Sequence, residues 1–418
     1  MTLYLKVKKM SKRDELLAKL FSLEGKPSVL EGIKVVEISK SNLSGSMVGA
    51  LLKELGAEVL KIEPPNGDPA KNISPYGVNI GGIGIPYFIE NIGKKIIYLD
   101  LELEEEREKL KKLLLSCDVV VDAVKPGYLD SIKLGYQYIS NENPRIIYVA
   151  ISPYGHFTRK AEEFFNVPDS DLTAQAYNGY PSIIGDPRIK PIPLRAGIWA
   201  AWMMAAINAV IGVLLALYER LRSGKGQFID VATHDALAIT HKFPVLVGFL
   251  FGKSRPAYGF LDYIVYPFSI FKAKNGYVSI ATPFDTDFRG LLKIIKRWDL
   301  EPDWKYGIDR LSDDIDRLAE LHKEICKEIA KYSIEELTRR SESLRKGPAR
   351  LRRLIGGPII VKAYTLKEVI NEKHWYIRNS LLKTSIDNKD IIIPNSPFKM
   401  SETPGRITIQ KNNQRFYS

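Results

Sequence analysis

Between residues 33 and 152 the sequence switches repeatedly between two hydrophobic periods. "IKVVEIS" (33–39), "AEVLKIE" (57–63), "KKIIYLDL" (94–101), "DVVVDAV" (118–124) and "RIIYVAIS" (145–152) are short runs rich in Val and Ile. Such runs read as strands buried on both faces. Between them lie helical patterns: "GSMVGALLKELG" (45–56), which stops on Gly56, and the charged amphipathic "LEEEREKLKKLLLS" (103–116). Strands separated by helices imply a mostly parallel sheet with helices on both faces, so the fold class is α/β.

After Gln227 the texture changes. "GQFIDVATHDALAITHKF" gives a strand and a helix, and "GKSRPAYGFLDYIVYPF" is rich in Pro and Gly. "FSIFKAKNGYVSIA" carries two alternating runs around Lys274-Asn275-Gly276, and Asn-Gly is a strong hairpin signal. Helical patterns follow to about residue 345, and in "SIEELTRR" Ser333 and Glu336 fit a capping box. At 418 residues the chain exceeds what one core usually organises. The expected organisation is an arm or helix over 1–30, a large α/β domain over 31–225 completed by 355–418, and a linker with a small α+β domain over 226–354.

From Ala196 to Leu217 no side chain is ionisable, a run long enough to cross a bilayer. Asn208 in its middle, the charged continuation "YERLRSGKGQ" and the α/β segments on either side argue instead for a buried helix stopped at Gly224. No membrane association is expected.

The formal charge of +12 would attract polyanions. The densest basic run, "RRSESLRKGPARLRR" (339–353), has no interleaved aromatics for base stacking, so it reads as a solvated surface and no nucleic-acid partner is expected. Cys117 and Cys326 show neither metal-site nor disulfide spacing, which points to a reducing, cytoplasmic setting and no bound metal. The start, "MTLYLKVKKMSKRDELLAKLF", lacks the apolar core of a secretory signal.

Several ordered stretches, "LEGIKVVEIS", "LLKELGAEVLKIEPPNGDP", "NIGKKIIYLDL", "CDVVVDAVKPGYLDSIKLGY", "NPRIIYVAISPYG", "SDLTAQAYNGYPSIIGDP", "IGVLLALYERLRSGKGQFIDVATHDA" and "NSPFKMSETP", together resemble the CaiB/BaiF family of family III CoA-transferases from about 30 to 405. The resemblance implies a large doubly wound Rossmann-like domain with a smaller α+β domain, cytoplasmic and in an interlocked dimer. It implies CoA or acyl-CoA as ligand, carboxylic acids as co-substrates, and either a homodimer or a heterodimer with an active homologue. The positions matching the family's CoA-contacting loops are Asn42, Leu43, Lys94, Lys95, Leu99 and Lys125. Cations and amide donors suit the phosphates of CoA, whereas the turn "SNLSGSMVG" lacks the dinucleotide fingerprint GxGxxG.

The family's transfer chemistry needs an aspartate nucleophile just before the long apolar helix. Ungapped alignment back from "IGVLLALYERLRSGKGQ" puts Gly197 on the motif's glycine and Trp202 on its aspartate, and no Asp or Glu lies between Asp186 and Glu219. The histidine of the racemase branch is likewise replaced, by Ser170 before Asp171. Three readings follow: a silent subunit paired with an active homologue; an active transferase, racemase or isomerase using another carboxylate, with Asp171 nearest and Asp169 beside it; or a non-catalytic acyl-CoA-binding protein. Asp171 is equally a helix N-cap. His156 reads as an incidental loop histidine, and His234 as packing or surface.

Overall fold

A computed structural model describes residues 22–164, 169–185, 192–197, 199–252, 257, 259, 265–301, 310, 315–386 and 389–407, with isolated positions before 22. The arm expected over 1–30 lies largely outside them. The chain divides into two compact units, one of residues 1–178, 196–246 and 374–418, the other of residues 179–195 and 247–373.

In the larger unit six parallel strands form one sheet: β1 (Lys34–Ser39), β2 (Glu58–Glu63), β5 (Lys95–Tyr98), β6 (Val119–Ala123), β7 (Ile147–Ser152) and β8 (Phe228–Ala232). The remaining β3 (Asn79–Ile80) and β4 (Ile83–Gly84) form a minimal antiparallel ribbon. The order in space is β5-β2-β1-β6-β7-β8, which is the doubly wound arrangement, reversing direction between β1 and β6. β6 and β7 are buried along their whole length, which is why they appear in sequence as unbroken apolar runs.

Helices cover both faces. α1 (Ser44–Glu54) lies on one face and α2 (Glu104–Ser116) on the other, each bringing its apolar stripe to a separate core cluster. Gly45 lets α1 start close to the sheet, because a Cβ there would stand 2.5 Å from that of Ala123. Next come α3 (Asp171–Asn178), the long α4 (Ala200–Ser223), α5 (Thr233–Ala238) and α6 (Lys242–Phe251). α4 ends where expected, with Gly224 in the left-handed region donating to Arg220 O. It is buried on one face only: Trp202, Ala205, Ala206, Ala209 and Val213 face the core, while Met203, Ile207, Ile211, Leu215, Tyr218 and Leu221 are exposed.

In the smaller unit β9 (Phe268–Ala273) and β10 (Gly276–Ala281) form the expected hairpin, and β11 (Ile359–Lys362) pairs with β10. Lys274 and Asn275 are the connecting residues, and the Asn275 side chain accepts from Ile334 N at 2.9 Å. α7 (Asp285–Ile295), α8 (Ile315–Ile329) and α9 (Ile334–Arg345) complete this core. Ser333 caps α9 by accepting from Glu336 N, the Ser half of the expected box.

The observed division differs from the sequence expectation in three places. β8 is the sixth strand of the large sheet, so 226–246 fall with the larger unit; β11 completes the small sheet, so 355–373 fall with the smaller one; and 179–195, expected in the large domain, also fall with the smaller unit. The tail returns to the larger unit as the hairpin β12 (Leu381–Ile386) and β13 (Lys389–Pro394). It is tied down where Arg406 N donates to Glu54 O at 2.8 Å.

Candidate active-site cleft

A cleft of about 540 Å³ opens at the carboxyl ends of the parallel strands. Its walls are the strand ends and the segments that follow them: 38–42 at the end of β1, 62–65 at the end of β2, 99–102 after β5 and 123–126 at the end of β6, with Ile151 near the end of β7 and Pro153 and Asp169 beyond it. This is the topological switch point, where loops after β1 and β6 leave in opposite directions and open a crevice between them. The volume lies within the range of small-molecule sites.

Three of the residues singled out in the sequence meet here. Asn42, Leu99 and Lys125 all line the cleft. Asn42 bridges its two sides, accepting from Ser44 Oγ at 2.9 Å and donating to Ala123 O at 3.4 Å. Leu43, next to it, points into the core and is fully buried.

The other two lysines lie elsewhere. Lys94 is 3% exposed, and its Nζ donates to Glu37 Oε2 (2.7 Å), Ser46 O (2.7 Å) and Asn91 Oδ1 (3.1 Å). Glu37 is shared with Lys61, whose Nζ lies 2.9 Å from Oε1 and also reaches Ser39, Ser46 and Asp68. Burial alone would raise the Glu37 carboxyl, but the two ammonium groups more than offset it and bring it to about 2. Lys94 is thus a structural cation. Lys95 is exposed at the first position of β5, whereas the cleft takes residues that follow Tyr98 at the strand's other end.

Lys40 is a cleft cation that sequence reading did not single out. Acidic groups line the same space. Glu63 is buried and occupied: it accepts from Lys71 Nζ at 2.6 Å, from Asp68 N and from the Tyr87 hydroxyl. Asp100 accepts from Glu102 N at 3.1 Å.

Beyond β7 stand the two aspartates of "DSD". Asp171 opens α3, yet its Oδ1 is spent on another helix, accepting from Ala201 N (2.8 Å) and Trp202 N (3.2 Å), while Oδ2 accepts from Gln175 Nε2 of α3 (2.6 Å). α4 has no capping side chain of its own, so an aspartate thirty residues away supplies the acceptor its first turn needs. Asp171 is therefore fully committed. Asp169 lines the cleft, and its Oδ2 accepts from Trp202 Nε1 at 3.1 Å. Its Oδ1 is buried with no partner among the described residues. Burial pushes the Asp169 carboxyl up to about 6; the indole N–H works against that shift and the Asp171 charge adds to it.

Trp202 is 7% exposed and packs beside Trp199, with ring centroids 6.1 Å apart. The two histidines are both packed. His156 has its ring between Asp122 (3.9 Å) and Asp230 (3.8 Å) and is not among the cleft-lining residues. His234 stacks on Tyr154 and bonds Pro153 O through Nδ1. Among the described residues no group of three or more Cys, His, Asp or Glu side chains is placed to hold a metal ion.

The sequence profile of CoA-transferase family III matches residues 30–411, nearly the whole chain. The chain belongs to family III of the CoA-transferases. It is 29% identical over 381 residues to the succinyl-CoA:mesaconate CoA-transferase of Haloarcula hispanica, covering 90% of each chain. It is 28% identical over 385 residues to the alpha subunit of the succinyl-CoA–L-malate CoA-transferase of Chloroflexus aurantiacus, covering 91% of this chain and 84% of that one. Identity reaches 34% with the BbsE subunit of the succinyl-CoA:(R)-benzylsuccinate CoA-transferase of Thauera aromatica, but over 217 residues, about half of each chain. Among solved structures, a CaiB/BaiF family protein of Brucella suis superposes with a TM-score of 0.74 at 25% identity, covering 93% of this family III chain and 97% of that one.

Proposed function

We propose that this chain binds CoA and acyl-CoA in the switch-point cleft and takes part in moving CoA between carboxylic acids. The observation that carries the reading is the convergence of Asn42, Leu99 and Lys125 on one crevice, in a chain whose family transfers CoA. Lys40 and Lys125 supply positive charge for the phosphates, and Pro64, Pro65, Leu101 and Val124 offer apolar surface for the adenine. The setting is cytoplasmic, and no metal takes part.

The position that the resemblance gives to the nucleophile holds Trp202, and an indole cannot be acylated there. Chemistry at this site therefore requires another carboxylate, in this chain or brought by a partner. A separate observation bears on assembly: Met203, Ile207, Ile211 and Leu215 recur every four residues on α4 as an exposed apolar stripe, a surface that a second family chain would cover. Two of the relatives are themselves named as subunits. The assembly proposed is thus a dimer, of two copies or with a homologue that carries the aspartate.

Calorimetry with CoA tests the binding. The purified chain is expected to bind CoA, and Lys125→Ala to weaken that binding about tenfold or more, the loss of a charge-assisted contact. Absence of binding overturns the reading.

A further inference from the structure

The cleft brings a second carboxylate to the tryptophan that replaces the family's aspartate, and this juxtaposition has a chemical use. Resting on the CoA-thioester reading, we propose that Asp169 is the acyl-accepting carboxylate of this chain and that Trp202 is its positioning residue. The two together do from positions 169 and 202 what one side chain would do from 202.

The argument begins by elimination among the carboxylates at the cleft. Asp171 has both oxygens engaged by backbone amides and Gln175. Glu63 is neutralised by Lys71 and bonded by Tyr87. Asp100 and Glu102 belong to the segment after β5, beside the residues placed at the nucleotide end. Asp169 stands beyond β7, near Pro153 and Ile151 at the end of that strand; it lines the cleft, and its carboxylate is engaged by no cation and serves no helix among the described residues. Oδ2 accepts from the Trp202 indole, which fixes the rotamer, and the Ser170 amide and Thr233 hydroxyl add to the stabilisation of the anion.

The steps balance without any further reactant. The Asp169 carboxylate attacks the thioester carbonyl carbon, the C–S bond breaks, and a mixed anhydride and CoA thiolate result. The thiolate attacks the aspartyl carbonyl carbon and expels the donor acid as its carboxylate, leaving an Asp169–CoA thioester. An acceptor carboxylate runs the same steps in reverse and takes the CoA away, and Asp169 returns as the carboxylate. No net proton is gained or lost.

The test uses the purified full-length protein with acetyl-, propionyl-, succinyl- and glutaryl-CoA. Each is followed by a hydroxylamine quench and peptide mass analysis, with CoA calorimetry run in parallel. The expected result is a hydroxamate on Asp169, absent in Asp169→Asn while CoA affinity stays within about twofold. The position of the label in the unmodified protein decides the matter even if the variant folds poorly. Label on a different carboxylate, or none with any of the four thioesters although CoA binds, overturns the assignment and leaves the binding reading standing. Failure to bind CoA overturns both. For Trp202→Phe, which keeps a ring but removes the donor, labelling is expected to persist with its pH midpoint moved upward, because the anion has lost its hydrogen bond. An unmoved midpoint removes Trp202 from the positioning role.

Discussion

Asp169 and Asp171 are two residues apart and of the same type, yet their surroundings set them to opposite tasks. One is saturated with donors and serves as a helix cap; the other lines the cleft, accepts from the Trp202 indole and has its carboxyl raised to about 6 by burial. A carboxyl whose folded pKa lies above its unfolded value of 3.8 contributes stability below that value and loses it as pH rises through about 6. Asp169→Asn is therefore expected to be more stable than the unmodified chain at pH 7 by roughly 1–3 kcal/mol, and about equal to it near pH 4. Thermal melts at the two pH values check this. Equal melting differences at both would show that the carboxyl is not held up by its site. That these aspartates were of interest was legible in the sequence, since "DSDLTAQA" carries both, in a chain whose family resemblance leaves the nucleophile position vacated. Which of them is bound up was not, because the amides that claim Asp171 lie thirty residues further on.

At the scale of elements, the β1–β2 pair carries an internal polar cluster that takes in Lys94, a residue to which the family resemblance gave a ligand role. A lysine at a strand start looks the same whether it meets a phosphate or a buried glutamate. What decides is which end of the strand it occupies and whether a neighbour offers an anion, and Glu37 at the next-but-one strand does. Leu99 and Lys125, which the family resemblance singled out, line the cleft because both follow a strand, where parallel sheets present ligands. Glu37 has a depressed carboxyl, so its contribution is present above pH 4.5 and lost as pH falls toward about 2. Glu37→Gln leaves Lys94 with uncharged partners and removes one of the two anions at Lys61, at an expected cost of about 3–5 kcal/mol at neutral pH. Denaturant unfolding at pH 7 and pH 3 reads both the size and its shrinkage in acid. A loss under about 1 kcal/mol at pH 7 would mean that the pairing barely exceeds its desolvation.

At the scale of the whole chain, the α/β class, the parallel strands and the small hairpin-bearing unit could all be read from periodicity, because buried parallel strands and half-buried hairpins leave different patterns. The unit boundaries could not. β8 and β11 are each short apolar runs whose allegiance depends on which sheet has an open edge, and that is a tertiary property. The same holds for α4, which in sequence is apolar all round and in the structure has one bare face. If a second chain covers that face, Ile211→Lys should shift the assembly toward monomer at micromolar concentration, as measured by light scattering. An unchanged mass would place the contact elsewhere.

The strand order has a further consequence, for how the protein comes into being. The two strands that frame the cleft, β1 and β6, pair Val35 with Val119 and Ile38 with Asp122, across a separation of 84 residues. Closing so long a loop is entropically costly and slow compared with the local β1–α1–β2 unit. The cleft therefore does not exist in any early, locally built part of the chain. Only a chain that has already committed its central pairing has anything for a ligand to hold, and a ligand that holds it favours the finished sheet over every partly assembled one by mass action.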